Sequence, residues 1–240
     1  MNVLNNLSEP QITRNSNTEP NKPSKKKVTA ASIAGSAIGI AGAVAGVYAM
    51  AKKGNPAASI KNLRYEEKDV LLIGAGSVLG GLAGGLAADS DKKNVKPKLR
   101  EASQQFFGSM ACPIGLLAIG NKILDKTNFQ LPKLKSASKA ANAVNGVLSV
   151  LPRVAVAVGT LIGGMEIGNK VMNAVNDRVF NEKVEHHIHK EDYLVHADDL
   201  CLAANMLLKD AQSVSAVTSK VLPAAFIVAG SKTGMAKAET

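Results

Sequence analysis

The glycine-rich stretch after Leu71-Leu72-Ile73 has a spacing that could bind a phosphate. Gly74-Ala75-Gly76-Ser77-Val78-Leu79-Gly80 follows this apolar run directly. A strand, a glycine turn and a helix N-terminus together hold the pyrophosphate of a dinucleotide. The spacing here is GxGxxxG, looser than the dinucleotide pattern, and no second β-branched run follows Ala88. A nucleotide-dependent enzyme that uses Gly74–Gly80 is therefore an alternative interpretation.

The same stretch, read as one helix over Val70–Ala88, carries small residues four positions apart. Membrane helices associate through small residues that let their backbones approach closely. The same spacing recurs in other apolar segments, so we interpret these glycines as helix-packing positions. The predicted helix-packing residues are Gly35, Gly39, Gly42, Gly46, Gly76, Gly80, Gly84, Gly159 and Gly163.

A second candidate for chemistry is the histidine-containing segment near residue 190. His189, Asp192, His196 and Asp199 would share one side of a helix, a pattern that can bind a transition metal. The surrounding residues are charged, which favours an ordinary solvated face, and whether His186–His196 binds a metal is left open. We predict no catalytic residue, metal site or cofactor, since Cys112 and Cys201 form no CxxC pair and nothing places either of them beside a histidine.

Apolar segments with few charges must position these residues. In this chain of 240 residues, 46% are hydrophobic but only 3% are aromatic, and there is no Trp. Ala30–Ala51, Val70–Ala88 and Ala102–Asn121 are each long enough to cross a bilayer as a helix. Ala140–Val171 is also apolar, but Pro152-Arg153 and Glu166 interrupt its apolar character, and Val154–Met165 alone is too short to cross. In a longer membrane-spanning helix Arg153 would need a partner, so we interpret this segment as an amphipathic or buried helix of the bundle.

These segments predict an all-α, Gly/Ala-rich hydrophobic helical bundle embedded in a membrane. Residues 1–27 are predicted to be a disordered basic leader, because they are polar and lack apolar periodicity. Residues 28–180 form the hydrophobic helical domain, and Asp89–Arg100 is expected to be a basic loop inside it. Residues 181–240 are predicted to be a polar or amphipathic helical region, in which Val221–Gly230 is apolar but short.

The net charge of +10 implies an anionic partner. Lysine pairs and triplets lie at the ends of apolar segments without interleaved aromatic residues, which favours anionic membrane lipid over nucleic acid. Each early loop is similarly basic, so the positive-inside rule gives no orientation.

The sequence thus predicts a non-catalytic integral membrane protein with a structural or oligomer-forming role. Its expected partners are anionic membrane lipid and either a second copy or other membrane helices. A soluble or peripheral helical bundle that binds anionic lipid or a partner protein is the alternative from another class.

Overall fold

The computed structural model describes residues 24–57, 59, 65–135, 138–181 and 212–237. The regular structure of these residues is helical and includes no strand, which confirms the all-α prediction. The predicted disorder of residues 1–23 and the candidate metal ligands around residue 190 lie outside the described residues.

The first two helices form an antiparallel pair. Helix α1 spans Lys25–Gly54 and helix α2 spans Glu67–Ala88. The Asp69 carboxylate accepts a hydrogen bond from the Glu66 N–H (2.9 Å), which satisfies a backbone donor where α2 begins. Lys25 to Lys27 already form the first turn of α1, so this helix begins three residues before residue 28, where the helical domain was predicted to begin.

The third apolar segment is one continuous helical rod. It contains a 3-10 turn (Lys92–Asn94), helix α3 (Val95–Ser103), a π-helical segment (Gln104–Ala111) and helix α4 (Cys112–Thr127). The prediction of a loop up to Arg100 is therefore wrong. Asp91 accepts a hydrogen bond from the Lys93 N–H (3.0 Å), and Pro97 falls in the first turn of α3, where the missing N–H costs nothing.

The fourth segment is also unbroken. Helix α5 spans Lys139–Val175 and continues into a π-helical segment, Asn176–Phe180. Pro152 lies inside α5, so Pro152-Arg153 interrupts the apolar character of the segment without ending the helix. Arg153 has a partner on α4, since its guanidinium lies 3.4 Å from the Asp125 carboxylate.

The last helix, α6, spans Gln212–Met235 and packs against both α1 and α2. The apolar stretch near Val221 is therefore part of a 24-residue helix rather than a short one. Phe226 of α6 is buried in the core with Val70, Ile73 and Ile114.

Within the described residues, four helical segments are long and apolar enough to cross a membrane by length and composition. They are Lys25–Gly54, Glu67–Ala88, Lys92–Thr127 and Lys139–Phe180.

Candidate helix-packing and membrane-facing surfaces

Helices α1 and α2 touch through backbone atoms at their glycines. A methyl group added to Gly35 or to Gly80 would meet the carbonyl oxygen of the other residue. Gly39 and Gly76 face each other in the same way, and Gly84 meets the carbonyl oxygen of Ala31. Five of the nine predicted helix-packing residues therefore lie at this one interface.

The contacting residues of α1 form a single row of four-residue steps. Ala31, Gly35 and Gly39 contact α2, and the row continues to Ala43, whose Cβ lies 3.0 Å from the position of a Cβ on Gly76. Such i, i+4 rows are the ridges that interdigitate when two helices pack closely. Gly42 lies on the same side of α1 but belongs to a different row of four-residue steps, and it does not contact α2.

The other four predicted helix-packing residues have no neighbour in the described part of the chain. A Cβ added to Gly42, Gly46, Gly159 or Gly163 would meet no atom within 4 Å. On α5 the row that faces α4 runs through Val156, Thr160, Gly164 and Gly168. The two α5 glycines precede Thr160 and Gly164 by one residue each, so they point about 100° away from α4.

A second glycine interface joins α2 to α6. Gly81 meets the carbonyl oxygen of Gly230, and Gly85 meets Gly234. The sequence offered a signal for this contact, since Gly230 and Gly234 are four residues apart.

Small hydroxyl side chains complete the packing between α1, α2 and α6. The Ser77 hydroxyl of α2 donates to the Phe226 carbonyl of α6 (2.5 Å). Ser32 and Ser36 of α1 are completely buried against Gly234 and Gly230, and each donates to a carbonyl one turn earlier in α1. The hydroxyls therefore fill the space beside the glycines without leaving an unsatisfied donor.

Lys98 of α3 is a buried lysine that contacts both Asp89 and the C-terminal end of α6. Lys98 has no exposed side-chain surface, and its ammonium lies 3.1 Å from the Asp89 carboxylate. The same ammonium donates to the carbonyl oxygens of Gly234 (2.5 Å) and Ala236 (3.1 Å). Lys98 thus stabilises the C-terminal end of α6, where carbonyl groups lack helical partners.

The environment of Asp89 favours its charged form. Burial alone would raise the pKa of this carboxyl, but hydrogen bonds from the Asp91 N–H, from Lys98 and from Asn94, together with the Lys98 charge, outweigh burial. The pKa of Asp89 is therefore below its ordinary value.

Helices α4 and α5 form a second unit that packs beside the first. Gly164 meets the backbone of Pro113, and Gly168 meets the carbonyl oxygen of Gly108. The Gln104 side-chain amide donates to the Asn169 side chain. Among the described residues, the side-chain amide oxygens of Gln104 and Asn176 are buried and have no hydrogen-bond partner.

Large aliphatic side chains point outward from these helices. Ile38 of α1 is 73% exposed and Leu79 of α2 is 64% exposed, whereas the glycines that contact a neighbouring helix lie in the interior with the buried serines. Val147, Ile167 and Val228 are also exposed on α5 and α6. This distribution leaves a broad apolar surface around the bundle.

The nucleotide-binding geometry is not formed. Gly74–Gly80 lies within α2, and Leu71 to Ile73 belong to the same helix, so no strand or phosphate-binding turn precedes a helix N-terminus. The described residues also contain no group of three or more metal-ligating side chains. A cleft of about 350 Å³ at the far end of α4 is lined by Asp125 and Arg153, which already pair with each other.

No family model, curated protein or solved structure matches this chain.

Proposed function

We propose that the protein is a non-catalytic integral membrane scaffold whose helices associate through small residues. One observation carries this proposal: large aliphatic side chains are exposed along the length of the helices, and the closest contacts between helices are made by small residues. Other large apolar side chains, such as Ile73 and Leu117, form a buried core. A water-soluble bundle buries its large aliphatic side chains, because removing them from water is its main driving force. In lipid the hydrophobic effect does not drive helices together, and close packing of their backbones drives association instead.

The exposed positions support lipid contact along most of the helix length. Ile33 and Ile38 project from α1, and Leu72 and Leu79 project from α2, between the charged residues at either helix end. A helix that is apolar on every side is suited to lipid or to the interior of a larger assembly.

The glycines without a neighbour support self-association. Gly42 and Gly46 on α1, and Gly159 and Gly163 on α5, leave open strips where another helix can approach the backbone. In this proposal a second copy of the chain, or another membrane helix, occupies these strips. The scaffold is then a component of a membrane oligomer.

Extraction with alkaline carbonate tests membrane embedding. The full chain, expressed with an epitope tag, should stay in the membrane pellet together with an integral control protein. Release into the supernatant together with a peripheral control protein would overturn the proposal.

One observation favours a second candidate, a peripheral helical bundle. Glu166 and Lys170 of α5 are both exposed, although they lie inside a segment long enough to span a membrane. A charged side chain facing lipid is costly, so these residues fit better with α5 at a membrane surface or against a partner. Release by carbonate is the result that this candidate predicts.

A further inference from the structure

The cleft of about 350 Å³ lies where helix α4 ends against α5. The two helices are antiparallel, because Gly164 meets Pro113 whereas Arg153 meets Asp125. Arg153 is therefore level with the last turn of α4. The volume of the cleft is in the range that small-molecule sites occupy.

The connection that follows α4 forms one wall of the cleft and is fastened to α5. Asn128 adopts a left-handed conformation (φ 48°) and ends α4. Farther on, the Leu134 N–H donates to the Asn145 side-chain oxygen of α5 (2.7 Å), and the Asn145 side-chain N–H donates to the Leu134 carbonyl (3.0 Å). This pair of hydrogen bonds holds Lys133 in the lining of the same cleft as Arg153.

The guanidinium of Arg153 is only weakly engaged by Asp125. One contact of 3.4 Å joins a guanidinium nitrogen to a carboxylate oxygen, and the two side chains are 54% and 69% exposed. An exposed ion pair of this kind contributes little to stability. A guanidinium has several N–H donors and binds a phosphate group through paired hydrogen bonds. Arg153 can therefore bind a phosphate at the cost of a weak contact.

The chain around the cleft is strongly basic. Between residues 122 and 153 the sequence contains five lysines and Arg153, but only one carboxylate, that of Asp125. Each of the five lysines is exposed, and they are Lys122, Lys126, Lys133, Lys135 and Lys139. The cleft therefore attracts anions.

We propose that this cleft binds the phosphate group of an anionic phospholipid and that Arg153 contacts the phosphate directly. The inference rests on the membrane embedding proposed above. Helix α4 ends the segment Lys92–Thr127, which is long enough to cross a membrane, so the cleft lies at the level of the lipid headgroups. Basic pockets between membrane helices bind the headgroups of acidic lipids. This level also spares Arg153 the cost of a charge inside the hydrocarbon.

The apolar lining fits a lipid better than a soluble phosphate ion. Leu124, Phe129 and Leu131 line the cleft together with the charged residues, and Phe129 is 59% exposed. These side chains can contact the glycerol and upper acyl carbons of a lipid whose phosphate is bound by Arg153. An inorganic phosphate ion has no apolar part for them to contact.

Because the chain contains no Trp, a single introduced Trp reports the lipid beside one position. Phe129→Trp places this probe in the cleft, and Ile38→Trp places a control probe at a 73% exposed position in the middle of α1. Each full-length variant is reconstituted in vesicles of phosphatidylcholine and phosphatidylglycerol. One of the two lipids is brominated in the upper part of its acyl chains to quench Trp fluorescence, and the two quenching curves give the preference for the anionic lipid.

At Phe129→Trp we expect phosphatidylglycerol to be preferred over phosphatidylcholine by about fivefold or more, since one basic residue near an anionic surface has about this effect. The choline cation of phosphatidylcholine offsets its phosphate. At Ile38→Trp the preference should be close to one.

Three substitutions in the Phe129→Trp chain separate a site from diffuse attraction. Arg153→Gln should lower the preference several-fold. Arg153→Lys keeps the charge but loses the paired hydrogen bonds, so it should also lower the preference. Asp125→Asn removes the carboxylate that competes for Arg153 and should raise it.

A preference that survives Arg153→Gln, or that Arg153→Lys retains in full, would indicate diffuse attraction to the surface lysines and would overturn the site. Loss of the preference on adding millimolar sodium phosphate at constant ionic strength would assign the cleft to a soluble phosphate and would overturn the lipid as its ligand. Leu131→Trp repeats the measurement should Phe129→Trp fail to fold.

The control probe distinguishes failure of the site from failure of the proposed function. Quenching at Ile38→Trp without any preference at Phe129→Trp would overturn the lipid site alone. Absence of quenching at Ile38→Trp by either lipid would overturn the proposed membrane embedding.

Discussion

Replacing Gly80 by Ala should destabilise the bundle although Ala is the better helix former. In an open helical position this substitution stabilises by about 1 kcal/mol. At Gly80 the new methyl group would meet the Gly35 carbonyl oxygen, and it would lie 3.2 Å from the Gly39 Cα. Both obstacles are backbone atoms, which cannot rotate away.

The size of the effect follows from the separation that the methyl group imposes. The helices would have to move apart by about 1 Å, and a gap of that size forfeits a quarter to a half of the contact attraction. Overpacking of this kind costs about 1–3 kcal/mol. After the gain of about 1 kcal/mol in helix propensity, we expect Gly80→Ala to lose up to about 2 kcal/mol of unfolding free energy.

The matched control is Gly115→Ala in α4, where an added Cβ meets no atom within 4 Å. This variant should be neutral or more stable by up to about 1 kcal/mol. Both proteins are unfolded by increasing the fraction of dodecyl sulfate in mixed micelles, with helicity followed by circular dichroism. Equal shifts of the same sign in the two variants would refute the argument that α1 and α2 pack through backbone contact at Gly80.

Three further predictions concern other parts of the molecule. Asp89→Asn should lower the free energy of unfolding by about 3–5 kcal/mol, because it leaves the Lys98 charge buried without a partner. In a denaturation experiment, the double variant Asp89→Asn, Lys98→Met should recover much of this loss. Because the pKa of Asp89 is lowered in the folded state, its contribution to stability is fully present above the ordinary Asp pKa and is lost as the pH falls through the folded-state pKa. The decrease in melting temperature on acidification should therefore be smaller in the double variant. Gly159→Leu should reduce self-association in analytical ultracentrifugation without lowering the melting temperature, whereas Gly146→Leu, at an equally open glycine outside the predicted set, should leave both unchanged. Millimolar NAD should not raise the melting temperature of the chain, because Gly74–Gly80 is interior helix, and a clear increase would restore the nucleotide-binding alternative.

The four-residue glycine spacing predicted helix-packing faces on α1 and α2 but could not show which glycines contact a neighbouring helix. Gly39 and Gly42 lie on nearly the same side of α1, yet only Gly39 belongs to the row that meets α2. Which row is used depends on the angle at which the helices cross, and that angle is set by both partners. Periodicity within one helix therefore cannot supply it.

The role of α6 could not be predicted for a different reason. The sequence shows only a short apolar stretch around Pro223 in this region. The contacts of Ser77 with Phe226, of Gly81 with Gly230 and of Gly85 with Gly234 place α6 in the core. Spacing within one helix does not show which distant helix it meets.

The sequence by itself determined the helical class, the apolar segments and the basic character of the chain, because these depend on local composition and spacing. The tertiary structure decided which glycines face a neighbour, which remain open and where Arg153 and Lys98 find their partners. It also brought the lysines at the start of α1, at the start of α3 and near the end of α6 to one end of the bundle, although they are distant in the sequence. The physical reason is that helix direction and pairing, which are set by long-range packing, determine which charges share one side of the bundle.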